Sequence, residues 1–223
     1  MHPEKKLTER ESLELITQMI NKAKDACHST GLAAIMWGLI IAFCSLVRLA
    51  EIQYWFKLPF DIYLLTLLAI IPQVYLSVRE KRKAKVKAYG DEFIDYLWLG
   101  FGICIFLLIF ITQAVFTAWK PAGEEYQLLA GHPASFQFYE FSASFFLLLY
   151  GLPTFVSGIS MKFRPMIWGG LLCWVSCLAA IYTPVKADLL LTALSSVFAW
   201  FIPGMIMEKR YQKAKKELAA QHV

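Results

Sequence analysis

Charged residues are scarce in this chain of 223 amino acids. They make up 17% of the sequence, whereas hydrophobic residues make up 58%. Soluble domains carry about 25% charged residues, so the shortage of charge argues against a water-soluble fold of this size. A membrane span needs roughly 20 mostly apolar residues, and the chain has room for about six spans with short connections. We therefore expect an all-α membrane protein.

Signals for export and glycosylation are also missing. The first thirty residues are polar and lack the apolar core and small-residue cleavage site of a signal peptide. The single asparagine, Asn21, is followed by Lys22 and Ala23 and forms no glycosylation sequon. We expect an uncleaved first span and a bacterial inner membrane as the location.

Signatures of catalysis are absent as well. The sequence has no Gly-rich phosphate loop, no GxSxG elbow and no HExxH motif. The five cysteines form no CxxC pair, and no histidine lies inside an apolar run, which excludes paired-histidine haem ligation within the membrane. We expect no cofactor and no metal, and an enzyme is disfavoured.

Six apolar runs are each long enough to span a bilayer. They occupy residues 31–50, 58–78, 94–118, 136–158, 165–183 and 187–207. The predicted organisation is a cytoplasmic segment at 1–30, a membrane domain at 31–207 and a basic tail at 208–223.

Lysine and arginine are distributed unevenly between the connections. On one side lie 18 of the 22, in the N-terminal segment, the second and fourth connections and the tail. Cytoplasmic connections retain positive charge during insertion, so both termini are predicted to be cytoplasmic. Topology and anionic headgroups explain these basic residues, and a nucleic-acid partner is not expected.

The segment before the first span has the pattern of an amphipathic helix. Thr8 and Glu11 fit a capping box, which marks a helix start. Apolar residues then recur at spacings of three and four, with polar residues on the opposite face. This apolar face packs either on the spans and headgroups or on a cytoplasmic protein partner or second copy; its residues include Leu13, Ile16, Ile20 and Ala23.

An internal repeat relates the first two spans to the last two. A shift of 131 positions aligns Trp37-Gly38 with Trp168-Gly169 and Pro72 with Pro203, and a looser version places Trp98 and Pro153 in the middle pair. Glycines allow close helix approach, and prolines bend helices where neighbours satisfy the freed carbonyl. We expect three helical hairpins packed through Trp37, Gly38, Pro72, Trp98, Pro153, Trp168, Gly169 and Pro203.

Ionisable residues are few within the runs and stay near their ends. Each lies within about two turns of a span end, where side chains snorkel or water reaches them. Asp61 and Glu140 are placed to pair with Arg48 or to line an outward vestibule. The ionisable residues within the runs are Arg48, Asp61, Asp95, Glu140 and Asp188.

The N-terminal part of the chain carries a family resemblance. The stretch Glu11-Ser12-Leu13-Glu14-Leu15-Ile16-Thr17-Gln18-Met19-Ile20, then Ala23-Lys24 and Trp37-Gly38, resembles an uncharacterised bacterial family of small multi-span integral membrane proteins. The likeness covers residues 7–45 and is architectural beyond them. It implies a membrane location and no catalytic residues.

Three functions stay open. The first is a non-enzymatic sensor, regulator or complex subunit that acts through its cytoplasmic helix. The second is a permease for a small neutral or apolar solute, suggested by Thr66, Gln73, Thr112, Gln113, Ser142, Ser144, Ser195 and Ser196. The third is a lipid-modifying enzyme, which requires a cluster assembled from Glu124, Glu125, His132, Glu140 and Asp61.

Overall fold

A computed structural model describes residues 30–83, 89–132 and 138–220, together with the single positions Thr8 and Leu13. Leu13 is helical and 64% exposed. The remaining residues named for the amphipathic helix, Ile16, Ile20 and Ala23, lie outside the described part of the chain.

Every regular element in the described ranges is helical, which confirms the all-α prediction. The described ranges include a 3₁₀ turn at Phe138–Phe141 and a π-helical segment at Val197–Phe201. The α-helices are α1 (Leu32–Tyr54), α2 (Leu64–Lys83), α3 (Tyr89–Ala130), α4 (Ser142–Ser160), α5 (Arg164–Ala179), α6 (Val185–Ser196) and α7 (Ile202–Ala220).

Four helical stretches are long and apolar enough to cross a membrane, and they coincide with predicted spans one, three, four and six. The other two predicted spans fall short for separate reasons. α5 has 16 residues, or about 24 Å of helix, against about 30 Å of hydrocarbon. α2 ends in five consecutive charged residues at 79–83. The four stretches are Leu32–Tyr54, Glu92–Ala130, Tyr139–Ser160 and Val185–Glu217.

α3 extends beyond the predicted third span. It has 42 residues, or about 63 Å of helix, roughly twice the hydrocarbon thickness. The sequence predicts an outer connection after residue 118, where hydropathy falls, but the helix continues to Ala130 with Pro121 inside it. Most residues of this extension, such as Ala122 and Leu128, have high helix propensity, so loss of hydropathy did not end the helix.

One continuous helix, formed by α6, the π segment and α7, lies at the centre of the packing. α1 and α5 both contact it, α2 packs against α1, and α3 packs against α4. The most extensive helix contact joins α4 to α5, which the hairpin prediction placed in separate units. α2 and α3 are therefore peripheral, and α1, α4, α5 and the continuous helix form the core.

The core combines a few large residues with many small ones. Gly31 and Gly204 bring the start of α1 against α7, because a Cβ on Gly31 would lie 1.9 Å from the Gly204 carbonyl oxygen. Small residues allow such close helix approach. The buried apolar cluster consists of Ile41, Leu147, Tyr150, Cys173, Ala180, Ala199 and Trp200.

Candidate functional site around the π-helical segment

The π segment at Val197–Phe201 is the one irregular stretch inside the central helix. Pro203 follows it and has no N–H to donate to the carbonyl of Ala199, four residues earlier. The Ile202 N–H instead donates to the Val197 carbonyl, five residues back. Single π turns of this kind accommodate a disrupted hydrogen-bond ladder and are frequent at functional sites.

Trp200 places the largest side chain of the π segment in the core. It is 3% exposed, and its Nε1–H donates to the Thr154 hydroxyl at 2.8 Å. Thr154 is fully buried and donates in turn to the Tyr150 carbonyl at 2.7 Å. The buried indole and hydroxyl therefore satisfy each other, and they connect α4 to the central helix.

Aromatic rings surround Trp200 and attach the peripheral helix α3. The Tyr150 ring centroid lies 4.8 Å from that of Trp200. From α3, Trp98 and Phe101 each place a ring centroid 6.2 Å from Trp200, in edge-on orientations. Such aromatic pairs contribute about 0.5–1.5 kcal/mol each beyond area burial.

Glycines from two helices press on the π segment. A Cβ on Gly38 of α1 would lie 2.6 Å from the Phe201 nitrogen, and one on Gly169 of α5 would lie 2.5 Å from the Ala199 Cα. Neither distance admits a side chain. The two glycines related by the 131-residue shift therefore contact the same segment of the central helix.

The predicted packing residues separate into two environments. Trp37 donates to Gln73, next to Pro72, at 3.1 Å, and Trp98 donates to Ser157, four residues after Pro153, also at 3.1 Å. Pro153 and Pro203 are fully buried. Trp168 is 70% exposed and Pro72 is exposed, so the structure does not place these two in a packed seam.

The polar residues behind the permease hypothesis serve mainly as donors inside the protein. Six donate hydrogen bonds to a neighbouring carbonyl or side chain, the usual role of hydroxyls and amides in helix packing. The bonds run from Thr66 to Tyr63, Gln73 to Ser77, Thr112 to Leu108, Ser142 to Tyr139, Ser195 to Ser176 and Ser196 to Ala193. Ser144 differs, because its buried hydroxyl has no hydrogen-bond partner among the described residues.

The expected pairing of Arg48 with Asp61 or Glu140 is replaced by another. Arg48 forms a 2.8 Å ion pair with Glu51, and Glu51 also accepts from the Leu58 N–H at 2.9 Å. Asp61 accepts from the Tyr63 N–H instead. A shallow depression of about 270 Å³ lies over this loop. Glu51 was missed, although its position three residues after Arg48 on a helix signals such a pair.

The residues proposed for an enzymatic cluster do not form a metal centre. Glu124 lies 3.9 Å from Lys120 in an exposed ion pair, and the His132 ring centroid lies 5.8 Å from that of Tyr126. Within residues 30–83, 89–132 and 138–220, no group of three His, Cys, Asp or Glu side chains is placed to hold a metal.

Acidic side chains from three helices interact electrostatically around Glu80. Burial raises the pKa of Glu80, the Thr30 hydroxyl lowers it by a hydrogen bond, and the charges of Asp95 and Glu208 raise it further. These carboxylates come from α2, α3 and α7. The end of the bundle that carries most basic residues therefore also gathers acidic ones.

Asp188 is the second residue whose environment the sequence did not reveal. It was expected within reach of water near a span end, but it is 2% exposed. The cause is tertiary, because α1, α4 and α5 pack against α6.

Comparison with protein families, with curated proteins and with solved structures finds no match for this chain.

Proposed function

We propose that the chain is a six-span protein of the bacterial inner membrane with both termini in the cytoplasm. The large exposed apolar side chains of the peripheral helices support this placement. Ile71 on α2 and Phe106 and Phe110 on α3 are 70%, 68% and 67% exposed, and such contiguous surfaces require apolar surroundings. In this proposal α2 and α5 supply the two spans beyond the four long apolar helices. The arrangement as three hairpins stays a prediction.

The proposed molecular role is that of a non-enzymatic sensor, regulator or complex subunit. The observation that carries it is the unbroken helix from Val185 to Ala220, which runs from the buried core into a basic, exposed end. In this proposal a displacement at one end of this continuous helix is transmitted to the other. Its exposed end displays Lys209, Lys213 and Lys216 beside Glu208 and Gln212.

The N-terminal segment joins the bundle at the same place. A Cβ on Gly31, the residue before α1, would lie 2.8 Å from the Glu208 nitrogen of α7 and 1.9 Å from the Gly204 oxygen. Thr30 bonds to Glu80 of α2. In this proposal a displacement of α7 acts directly on Thr30 and Gly31, where the N-terminal segment ends, and that segment passes it to a cytoplasmic partner or a second copy.

The test targets the apolar face of the N-terminal helix. We expect the triple change Leu13→Ser, Ile16→Ser and Ile20→Ser to alter the mass of the complex purified in mild detergent and its intermolecular crosslinks, because the face that binds the partner loses its apolar side chains. The matched control changes Glu14, Gln18 and Lys22 on the polar face to Ser. The control is expected to keep the mass and the crosslinks of the native protein. If the apolar-face variant keeps them too, the proposal is contradicted.

A further inference from the structure

Asp188 is buried with half of its carboxylate unsatisfied. It lies in the first turn of α6 and is 2% exposed. The Thr183 hydroxyl donates to Oδ1 at 2.5 Å, and the N-terminus of α6 favours a negative charge. Oδ2 is buried and has no hydrogen-bond partner among the described residues. Buried carboxylates with an unpaired oxygen are costly, so an absent partner is indicated.

A second unsatisfied oxygen lies at the same end of the bundle. Ser144, in the first turn of α4, is 6% exposed, and its Oγ has no partner within the described ranges. α4 and α6 are in contact, and Glu140, one turn before Ser144, interacts electrostatically with Asp188. The two unsatisfied oxygens therefore belong to the layer where α4 and α6 begin.

The charged groups near this layer do not neutralise Asp188. Lys186, two residues earlier, donates to the Gln53 side chain at 3.0 Å, and Arg48 is paired with Glu51. Glu140 adds negative charge. In the parts of the chain that the structure describes, Asp188 has no cationic side chain as an ion-pair partner.

We propose that Asp188 Oδ2 and Ser144 Oγ are ligands of a small monovalent cation with the chemistry of sodium. Carboxylate and hydroxyl oxygens are hard ligands, which select hard cations over soft metals. One positive charge neutralises the buried carboxylate without leaving an excess in a low-dielectric setting. This site does not depend on how the cytoplasmic end acts, so failure of either proposal leaves the other standing.

The experiment uses the full chain purified in detergent at constant ionic strength, with sodium chloride exchanged against choline chloride. We expect about one radioactive sodium ion bound per chain and an unfolding temperature that rises by roughly 5–11 °C when sodium reaches 100 times its dissociation constant. Asp188→Asn removes both effects. Ser144→Ala weakens sodium binding by roughly tenfold, as expected for loss of a single ligand.

The matched control is Asp61→Asn, which alters an exposed carboxylate that accepts from the Tyr63 N–H and is expected to leave sodium binding unchanged. Equal stabilisation by choline overturns the site, as does sodium binding retained in Asp188→Asn. A stabilisation that follows pH with no sodium dependence assigns Oδ2 to a proton and also overturns it. If Asp188→Asn does not fold, sodium binding by the native chain and by Ser144→Ala decides the matter.

Discussion

At the scale of single residues, the hydroxyl of Thr154 both accepts and donates a hydrogen bond beside the π segment. It accepts from the buried Trp200 indole and donates to the Tyr150 carbonyl. A buried donor that loses its acceptor costs the full desolvation penalty of that group, about 1–3 kcal/mol, whereas an exposed one finds another partner. This hydroxyl therefore stabilises the contact of α4 with the central helix, together with the Tyr150 ring packed on Trp200.

Thr154→Val tests this dependence while keeping the shape of the side chain. We expect a loss of about 1–3 kcal/mol in the free energy of unfolding, because the Trp200 N–H is left buried without an acceptor. The measurement is reversible unfolding in mixed detergent micelles, followed by tryptophan fluorescence.

Thr117→Val is the control for that prediction. Thr117 is exposed, and among the described residues its hydroxyl bonds only to the Gln113 carbonyl, so its change is expected to stay within about 0.5 kcal/mol. Equal effects at the two positions mean that the Trp200 bond contributes nothing specific.

At the scale of elements, the π segment is a contact point for two helices that the sequence repeat relates. Gly38 from α1 and Gly169 from α5 both lie against it without room for a Cβ. Pro203 has no N–H, so the helix adjusts there, and the glycines let α1 and α5 approach the widened turn. The geometry of the central helix is thus fixed from two sides.

Gly169→Ala is expected to destabilise the protein by about 1–3 kcal/mol, since the new methyl group overlaps the Ala199 backbone and forces α5 away. Equilibrium unfolding in detergent measures the loss.

Gly100→Ala on α3 supplies the comparison for that change. A Cβ at Gly100 meets no atom within 4 Å, and alanine favours a helix over glycine by up to about 1 kcal/mol. We expect it to be neutral or stabilising. A stable Gly169→Ala variant shows that α5 can shift freely.

At the scale of the whole molecule, the proposed topology places the far end of α3 outside the cell and the end of α7 in the cytoplasm. The basis is the location of 18 of the 22 lysines and arginines on one side. Glu124, near the end of α3, and Lys216, near the end of α7, are exposed positions suited to labelling.

Single Glu124→Cys and Lys216→Cys variants, in a chain whose five native cysteines are replaced by alanine, test this topology. A membrane-impermeant maleimide is expected to label the Glu124→Cys variant in intact spheroplasts. It should label the Lys216→Cys variant only after lysis, because the bilayer shields the cytoplasm. Labelling of both before lysis, or the reverse pattern, contradicts the proposed topology.

Prediction from sequence succeeded best for features that local patterns control. Helical class follows from apolar runs and helix-forming residues, and every regular element in the described ranges is helical. Trp98, a residue of the repeat, donates to Ser157 one turn after Pro153, and the packing of the repeat as hairpins stays a prediction. The extension of α3 to Ala130 was missed, since a fall in hydropathy ends a span without ending a helix.

The sequence by itself determined the helical class, the apolar runs and the asymmetry of positive charge, because each is a property of consecutive residues. Only the tertiary structure decided that Pro203 is buried while its repeat partner Pro72 is exposed. It also decided that Trp200 meets Thr154 and that Asp188 is sealed from water. Burial depends on which helices cover a position, and that is set by long-range packing rather than by spacing along the chain.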